Sequence, residues 1–311
     1  MATEVVGTDP RRLVVGHNRL CNLEDFSNPD VVRVMRDVFP HEIERFGISY
    51  PKGVEYRKHW EVAMAVRSLG AGGALHPDAQ ILGVGAGNEP TIFHLTNFVH
   101  RVFATDLYLT NEGWEDSANA SMLTEPARHW PAATPWNPRR LVVQHMDAMD
   151  LRYEDESFEG VFSSSSIEHF GSTSEVLRSL AEIHRVLKPG GVLSISTEFR
   201  LAGPRPGLPG LLLFDADDVR SLFLEPFEWD PIDPLDFGIS DATQASGQRL
   251  VDLSAEVTSH VETRGFIEFH DLDWDHYPHI VLHHDDLVWT SVHLALRKRA
   301  VQAPRASVLN G

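Results

Sequence analysis

Apolar and polar positions along the chain change period several times, and each change marks an element. "PDVVRVMRDVFPHEIERF", residues 29–46, has an amphipathic helical pattern. "GVEYRKHWEVAMAVRSL", 53–69, has a second, with Val54, Trp60, Val62, Met64, Ala65 and Leu69 on its apolar side. From residue 80 onward, short apolar runs of strand type appear at 80–86, 101–108, 139–151, 158–170 and 191–199. Helical patterns separate them. One begins at Asn88–Pro90, because proline suits a first helical turn. A stronger one puts Val176, Leu177, Leu180, Ile183 and Leu187 on one face and stops at "KPGG", 188–191. Strands alternating with helices predict an α/β fold with a parallel sheet and right-handed crossovers.

Beyond residue 200 the pattern loosens. "GPRPGLPG", 203–210, reads as a loop, and "DADDVRSLFLEP", 215–226, as a short helix with an aspartate for its cap. Residues 227–286 hold fourteen acidic side chains, two basic ones and six histidines, so they read as an insertion before a closing strand at 286–299. The expected layout is an N-terminal helical cap (1–54), a core (55–230 and 285–299), an acceptor-binding insertion (231–284) and a disordered tail (300–311).

Composition narrows the partners. The chain has 311 residues, 42% of them apolar, and no run of about 18 apolar residues that would span a bilayer. The N-terminal stretch lacks the apolar core of a signal peptide. A single cysteine, Cys21, cannot form an internal disulfide, which fits a cytoplasmic location. A formal charge of −18 opposes binding to nucleic acid or an anionic membrane. A neutral or cationic small molecule is the expected partner, and a homodimer the expected assembly.

The run "QILGVGAGNEP", 80–90, carries the first chemical signal. A dinucleotide site favours G-x-G-x-x-G, whereas Gly83, Gly85 and Gly87 are spaced two apart and Glu89 follows. A carboxylate there is a poor neighbour for pyrophosphate and a better one for a positively charged cofactor. Together with Asp106 at the end of the second strand, Asp147-Ala148-Met149 after the third, "FEGVFSSSSIEHF" and "LAEIHRVLKPGGVLSIS", this run resembles the class I S-adenosylmethionine (SAM)-dependent methyltransferases. The resemblance covers roughly residues 55–230 and 285–299. It implies a Rossmann-like, doubly wound, seven-stranded sheet, mostly parallel with an antiparallel last strand. It also implies SAM as cofactor. Gly83, Gly85, Gly87 and Asn88 would form its loop. Asp106 and Leu107 would meet the ribose, Asp147, Ala148 and Met149 the adenine, and Ser164 would stand at the fourth strand end. Tyr56 and Trp60 would cover the cofactor, although core packing explains them equally well. The chain departs from the family at Gly83, where an acidic residue is usual, and at Glu89, which replaces the third glycine.

Methyl transfer is an in-line displacement, helped mainly by orientation. An alcohol acceptor also needs a base or a metal. His169, at the carboxyl edge of the fourth strand, is the base candidate, and His145 is its rival. Asp271, Asp273 and Asp275, with His270 and His276, offer ligands for Mg²⁺, although a solvated acidic loop explains them as well. The aromatic and acidic residues of the insertion, Trp229, Phe237, Phe266, Phe269, Trp274 and Tyr277, suit a sugar hydroxyl as acceptor. In layout the chain resembles sugar O-methyltransferases, including those that act at position 1 of methylmannose polysaccharide precursors. N-methylation of a small amine, a non-catalytic SAM-binding assembly protein and a nicotinamide enzyme are the other readings.

Overall fold

The computed structural model describes residues 15–110, 114, 116–130, 134–253 and 277–300. Five strands run parallel: β2 (Gln80–Val84), β3 (Arg101–Asp106), β4 (Leu141–His145), β5 (Phe158–Ser164) and β6 (Leu187–Ala202). β12 (Leu287–Lys298) lies antiparallel to β6, with Val292 opposite Thr197. The order β4-β3-β2-β5-β6-β12 is that of a doubly wound sheet. The chain winds outward from β2 to β4, then returns to β5 on the other side of β2. That reversal opens a crevice at the carboxyl ends of β2 and β5.

The outer edge of β12 is covered in three pieces. β11 (Leu282–His284) pairs near its start and β1 (Arg19–Leu20) in its middle. β9 (Trp229–Pro231) pairs near its end. With β10 (Gln248–Arg249) on β11, ten strands share this sheet among the described residues, where seven were expected. A separate hairpin joins β7 (Gly207–Leu208) to β8 (Leu211–Leu212). Covering an edge removes unpaired main-chain groups that would otherwise recruit another strand.

The helices follow the apolar pattern with one break. The first amphipathic segment forms two helices, α1 (Pro29–Val38) and α2 (Pro40–Phe46). Pro40 has no N–H and disfavours a helical Phe39, which takes φ −115°, ψ 56°. α3 (Arg57–Ala71) packs on one sheet face, with Trp60, Ala63, Met64 and Leu69 buried. α4 (Pro90–Leu95) starts on its proline as expected. α5 (Thr173–Val186) covers the other face through Val176, Leu180, Ile183 and Val186, and its Ser172/Glu175 capping box satisfies the first turn. Leu187 already belongs to β6.

The described part of 231–284 packs along the sheet edge. Asp233 accepts the His17 and Asn18 N–H groups, and Asn18 Nδ2 donates to both Asp233 O and Oδ1, at 2.8 Å each. Asn18, fully buried, also accepts from Ala295 N through Oδ1 (2.8 Å). We predict that Asn18→Ala strands the buried Ala295 N–H and costs about 2–4 kcal/mol in urea denaturation. The affinity for S-adenosylhomocysteine should stay unchanged in the same variant.

Candidate active site

A cavity of about 630 Å³ opens where the carboxyl ends of β2, β3 and β5 meet the turn after β4. Its floor is the turn after β2. Gly85 (φ +61°) and Gly87 (φ +47°) take left-handed conformations there. A Cβ on Gly87 would lie 2.1 Å from Ser117 O, and one on Gly85 would lie 2.6 Å from Ser166 Cβ. Gly83 is different. It sits inside β2, away from the cavity, where a Cβ would meet Phe162 Cζ at 2.7 Å and Ala86 Cβ at 2.8 Å. An acidic side chain has no room at that position.

Asp106 ends β3 and faces the cavity. Its Oδ2 accepts from Gly87 N (2.8 Å) and its Oδ1 from Leu107 N (2.7 Å). Burial raises its pKa, and those two N–H donors oppose the rise. Each carboxylate oxygen keeps a second lone pair for a ligand hydroxyl. Tyr108 Oη donates to Gly87 O (2.7 Å), and Asn88 N donates to Ser117 O (2.8 Å), so the turn is held from both sides. Opposite lie Asp147, Ala148 and Met149, with Asp147 Oδ1 accepting from Met149 N (2.9 Å). Ser164 Oγ donates to Glu89 Oε1 (3.3 Å), and burial pushes the Glu89 carboxyl up to about 7.

Tyr56, Gly85, Gly87, Asn88, Asp106, Leu107, Asp147, Ala148, Met149, Ser164 and His169 thus surround one space. Trp60 and His145 do not. Trp60 is fully buried and donates from Nε1 to Asp25 Oδ2 (2.9 Å), so it belongs to the core beneath α3. His145 is exposed at the end of β4, where its Nδ1 accepts from Leu109 N at 3.3 Å. Asp147 lies beyond that strand end, so strand alternation does not carry His145 into the cavity with it.

His169 closes a short 3-10 turn, Ile167–His169, after β5. Its Nδ1 lies 2.8 Å from Gly210 O. A carbonyl only accepts, so Nδ1 carries the proton and Nε2 the lone pair. Burial lowers its pKa to about 4, so the ring is neutral near pH 7. The Trp114 ring stands 4.5 Å from the imidazole.

Sequence patterns missed the charged end of the cavity. Lys58 Nζ donates to Glu198 Oε1 (2.9 Å), to Glu61 Oε1 (3.3 Å) and to Ser165 Oγ. Arg57 Nη2 donates to the same Glu198 oxygen (2.8 Å), and Ser165 Oγ to Glu61 Oε2 (2.6 Å). Two cations therefore balance two carboxylates. Burial would raise the Glu198 pKa, and Arg57 and Lys58 outweigh it, so the group stays ionised. Glu168 is a fifth, fully enclosed group, with no ion pair of its own among the described residues. Burial and the Glu198 charge push its pKa up, and Thr197 Oγ1 donates to its Oε2 (2.7 Å). Glu168 Oε1 and Glu198 Oε2 have no hydrogen-bond partner among the described residues. The signal for this cluster was a glutamate in the middle of a buried strand run, "SISTEF", where a carboxylate needs a cation behind it. The metal candidates Asp271, Asp273 and Asp275 lie outside the described residues. Among the described residues no group of three metal-binding side chains occurs.

Residues 82–195 match a family model described as "Methyltransferase domain". The match runs from within β2 into β6 and so includes the glycine turn, Asp106, Asp147 and His169. Among curated proteins, 27-O-demethylrifamycin SV methyltransferase of Amycolatopsis mediterranei (strain S699) is 37% identical over 83 residues. That alignment takes in 27% of this chain and 28% of the relative. Solved structures of similar shape include the [4+2]-cyclase SpnF, at 18% identity and TM-score 0.47, over 91% of this chain and all of that one. Another is the 1,6-didemethyltoxoflavin-N1-methyltransferase of Burkholderia thailandensis, at 17% identity and TM-score 0.44, over 86% and 89%. No helix among the described residues is long and apolar enough to cross a membrane.

The enclosed carboxyl of Glu168, within the matched residues, makes stability depend on pH. A raised folded-state pKa contributes stability below the ordinary value of 4.5 and loses it as the pH climbs through about 8. Glu168→Gln, which cannot ionise, is expected to melt progressively higher relative to wild type across that window. Parallel melting curves for the two proteins would show that Glu168 is ionised throughout.

Proposed function

We propose that the chain is a SAM-dependent O-methyltransferase acting on a small hydroxyl-bearing acceptor, a carbohydrate or glycoside. One observation carries the proposal. A bare glycine turn, a ribose-sized carboxylate grip and a neutral imidazole of defined tautomer converge on one cavity. The residues fit the cofactor. Main chain at Gly85, Gly87 and Asn88 allows close approach of its methionine part. Asp106 offers a lone pair to each ribose hydroxyl, and Asp147, Ala148 and Met149 offer a slot for adenine. The bound cofactor supplies a methyl group already activated on a sulfonium.

The chain's own part is orientation and proton removal. His169 Nε2 takes the hydroxyl proton as the acceptor oxygen bonds to the methyl carbon and the carbon–sulfur bond breaks. Lys58, Ser165 and Glu198 at the cavity wall offer hydrogen-bonding partners for further hydroxyls, which supports a polyol acceptor. The described aromatic residues of the insertion give less support, and Phe266, Phe269 and Trp274 lie outside the described residues. Trp229 packs on His184, Phe237 on Phe199 and Tyr277 on Phe46. The name of the Amycolatopsis relative refers to a 27-O-demethyl compound, which favours oxygen over nitrogen as the accepting atom.

Asp106→Ala should weaken SAM binding by about 1.5–3 kcal/mol in calorimetry, the cost of losing charge-assisted hydrogen bonds. His169→Ala should keep cofactor affinity and lower turnover roughly 10²–10⁴-fold. A panel of glycosides and amines with labelled SAM decides the acceptor atom. Label transfer to amines alone would refute the O-methylation reading. Absence of a melting shift with SAM or S-adenosylhomocysteine would favour a non-catalytic protein.

A further inference from the structure

A second cavity, of about 330 Å³, also has His169 in its lining. His169 therefore borders both spaces. The rest of the second chamber comes from Gly171 and the hairpin 206–212. This hairpin is the segment whose Pro/Gly pattern reads as a plain loop, yet it is built in from three sides. β7 and β8 pair with each other, and Leu213 N donates to Pro206 O (2.8 Å). Leu208, Leu211 and Leu213 join a small apolar cluster with Leu250, Leu282 and Trp289. Arg205, just before it, pairs with Asp215 (2.6 Å) and Asp218 (2.8 Å). Gly210 O then receives the His169 Nδ1–H.

Side chains of this chamber other than His169 are hydrocarbon: Pro206, Leu208, Pro209, Leu211 and Leu212. A hydroxyl-rich ring placed there would lose its water partners and find few replacements. An apolar group of ring size would lose nothing and gain burial. Because His169 lines both spaces, a molecule that reached from one to the other would present a hydroxyl to the imidazole and an apolar group to the hairpin.

We infer that the chamber under the 206–212 hairpin is an acceptor subsite for an apolar, ring-sized substituent, so that the preferred acceptor is a glycoside with an apolar aglycone. The inference rests on the reading of His169 as the group that faces the acceptor. It assigns the hairpin the choice between glycosides and free sugars, and leaves cofactor binding to the first cavity.

The test uses the full chain loaded with S-adenosylhomocysteine and two probes, phenyl β-D-glucoside and methyl β-D-glucoside. Affinities come from NMR titration, and saturation-transfer difference spectra show which protons touch the protein. The phenyl probe should bind roughly ten- to a hundredfold more tightly, with saturation concentrated on its ring. Leu212→Asp, on a half-buried hairpin position, should erase the difference without changing S-adenosylhomocysteine affinity. Leu212→Ala, a milder change, should reduce it partly if the aspartate variant fails to fold. Equal affinities, a preference that survives in folded variants, or no binding of either probe to the loaded protein would overturn the inference. Failure of S-adenosylhomocysteine itself to bind would instead remove the reading of the first cavity, and the subsite with it.

Discussion

The contact between Asp106 and the main chain of Gly87 governs the rest of the site. It ties the end of β3 to the turn after β2, the strand at which the winding direction reverses. A side chain at Gly87 would collide with Ser117 O, and its positive φ would strain any residue with a Cβ. The turn is therefore bare for two separate reasons, conformation and crowding. Asp106 must stay ionised to serve it, and burial works against that. Two N–H donors meet the carboxylate and hold it in a geometry that leaves its outer lone pairs exposed to the cavity.

At the other end of the cavity the same conflict between burial and charge has a different resolution. α3 brings Arg57, Lys58 and Glu61 against the sheet, and β6 brings Glu198 to meet them. Such a cluster contributes little net stability over an apolar core, because desolvation offsets most of the attraction. Its effect is positional. It fixes α3 over the carboxyl edge of β5 and holds Ser165, whose φ of +48° is unusual for a residue with a side chain. Strain of that sort persists only where the surroundings over-determine it, and here Lys58 and Glu61 hold the Ser165 hydroxyl.

His169 links the two halves of the site. Its tautomer is set from beyond the matched residues 82–195, by a carbonyl of the hairpin at 206–212. The hairpin is in turn anchored on leucines that reach residues 250–287. A substitution far along the chain can therefore reorient the proposed base without touching it.

The apolar periods alone specified the five parallel strands, α5 and the glycine turn before α4, although α5 ends at Val186 and its expected stop "KPGG" already lies in β6. These are local features: alternation, capping and proline geometry act over a few residues, so they are written in consecutive positions. The signatures at 85–88, 106 and 147–149 were legible for the same reason, since each sits where a strand ends. Tertiary structure alone decided what covers the edge of β12, because three short strands of two or three residues have no period to read. It alone brought Lys58 to Glu198, 140 residues apart, and separated Trp60 and His145 from the cavity that their neighbours line. It also turned "GPRPGLPG" from a loop into a wall. Those outcomes depend on which distant groups a side chain meets once desolvated, and a linear pattern does not contain that information.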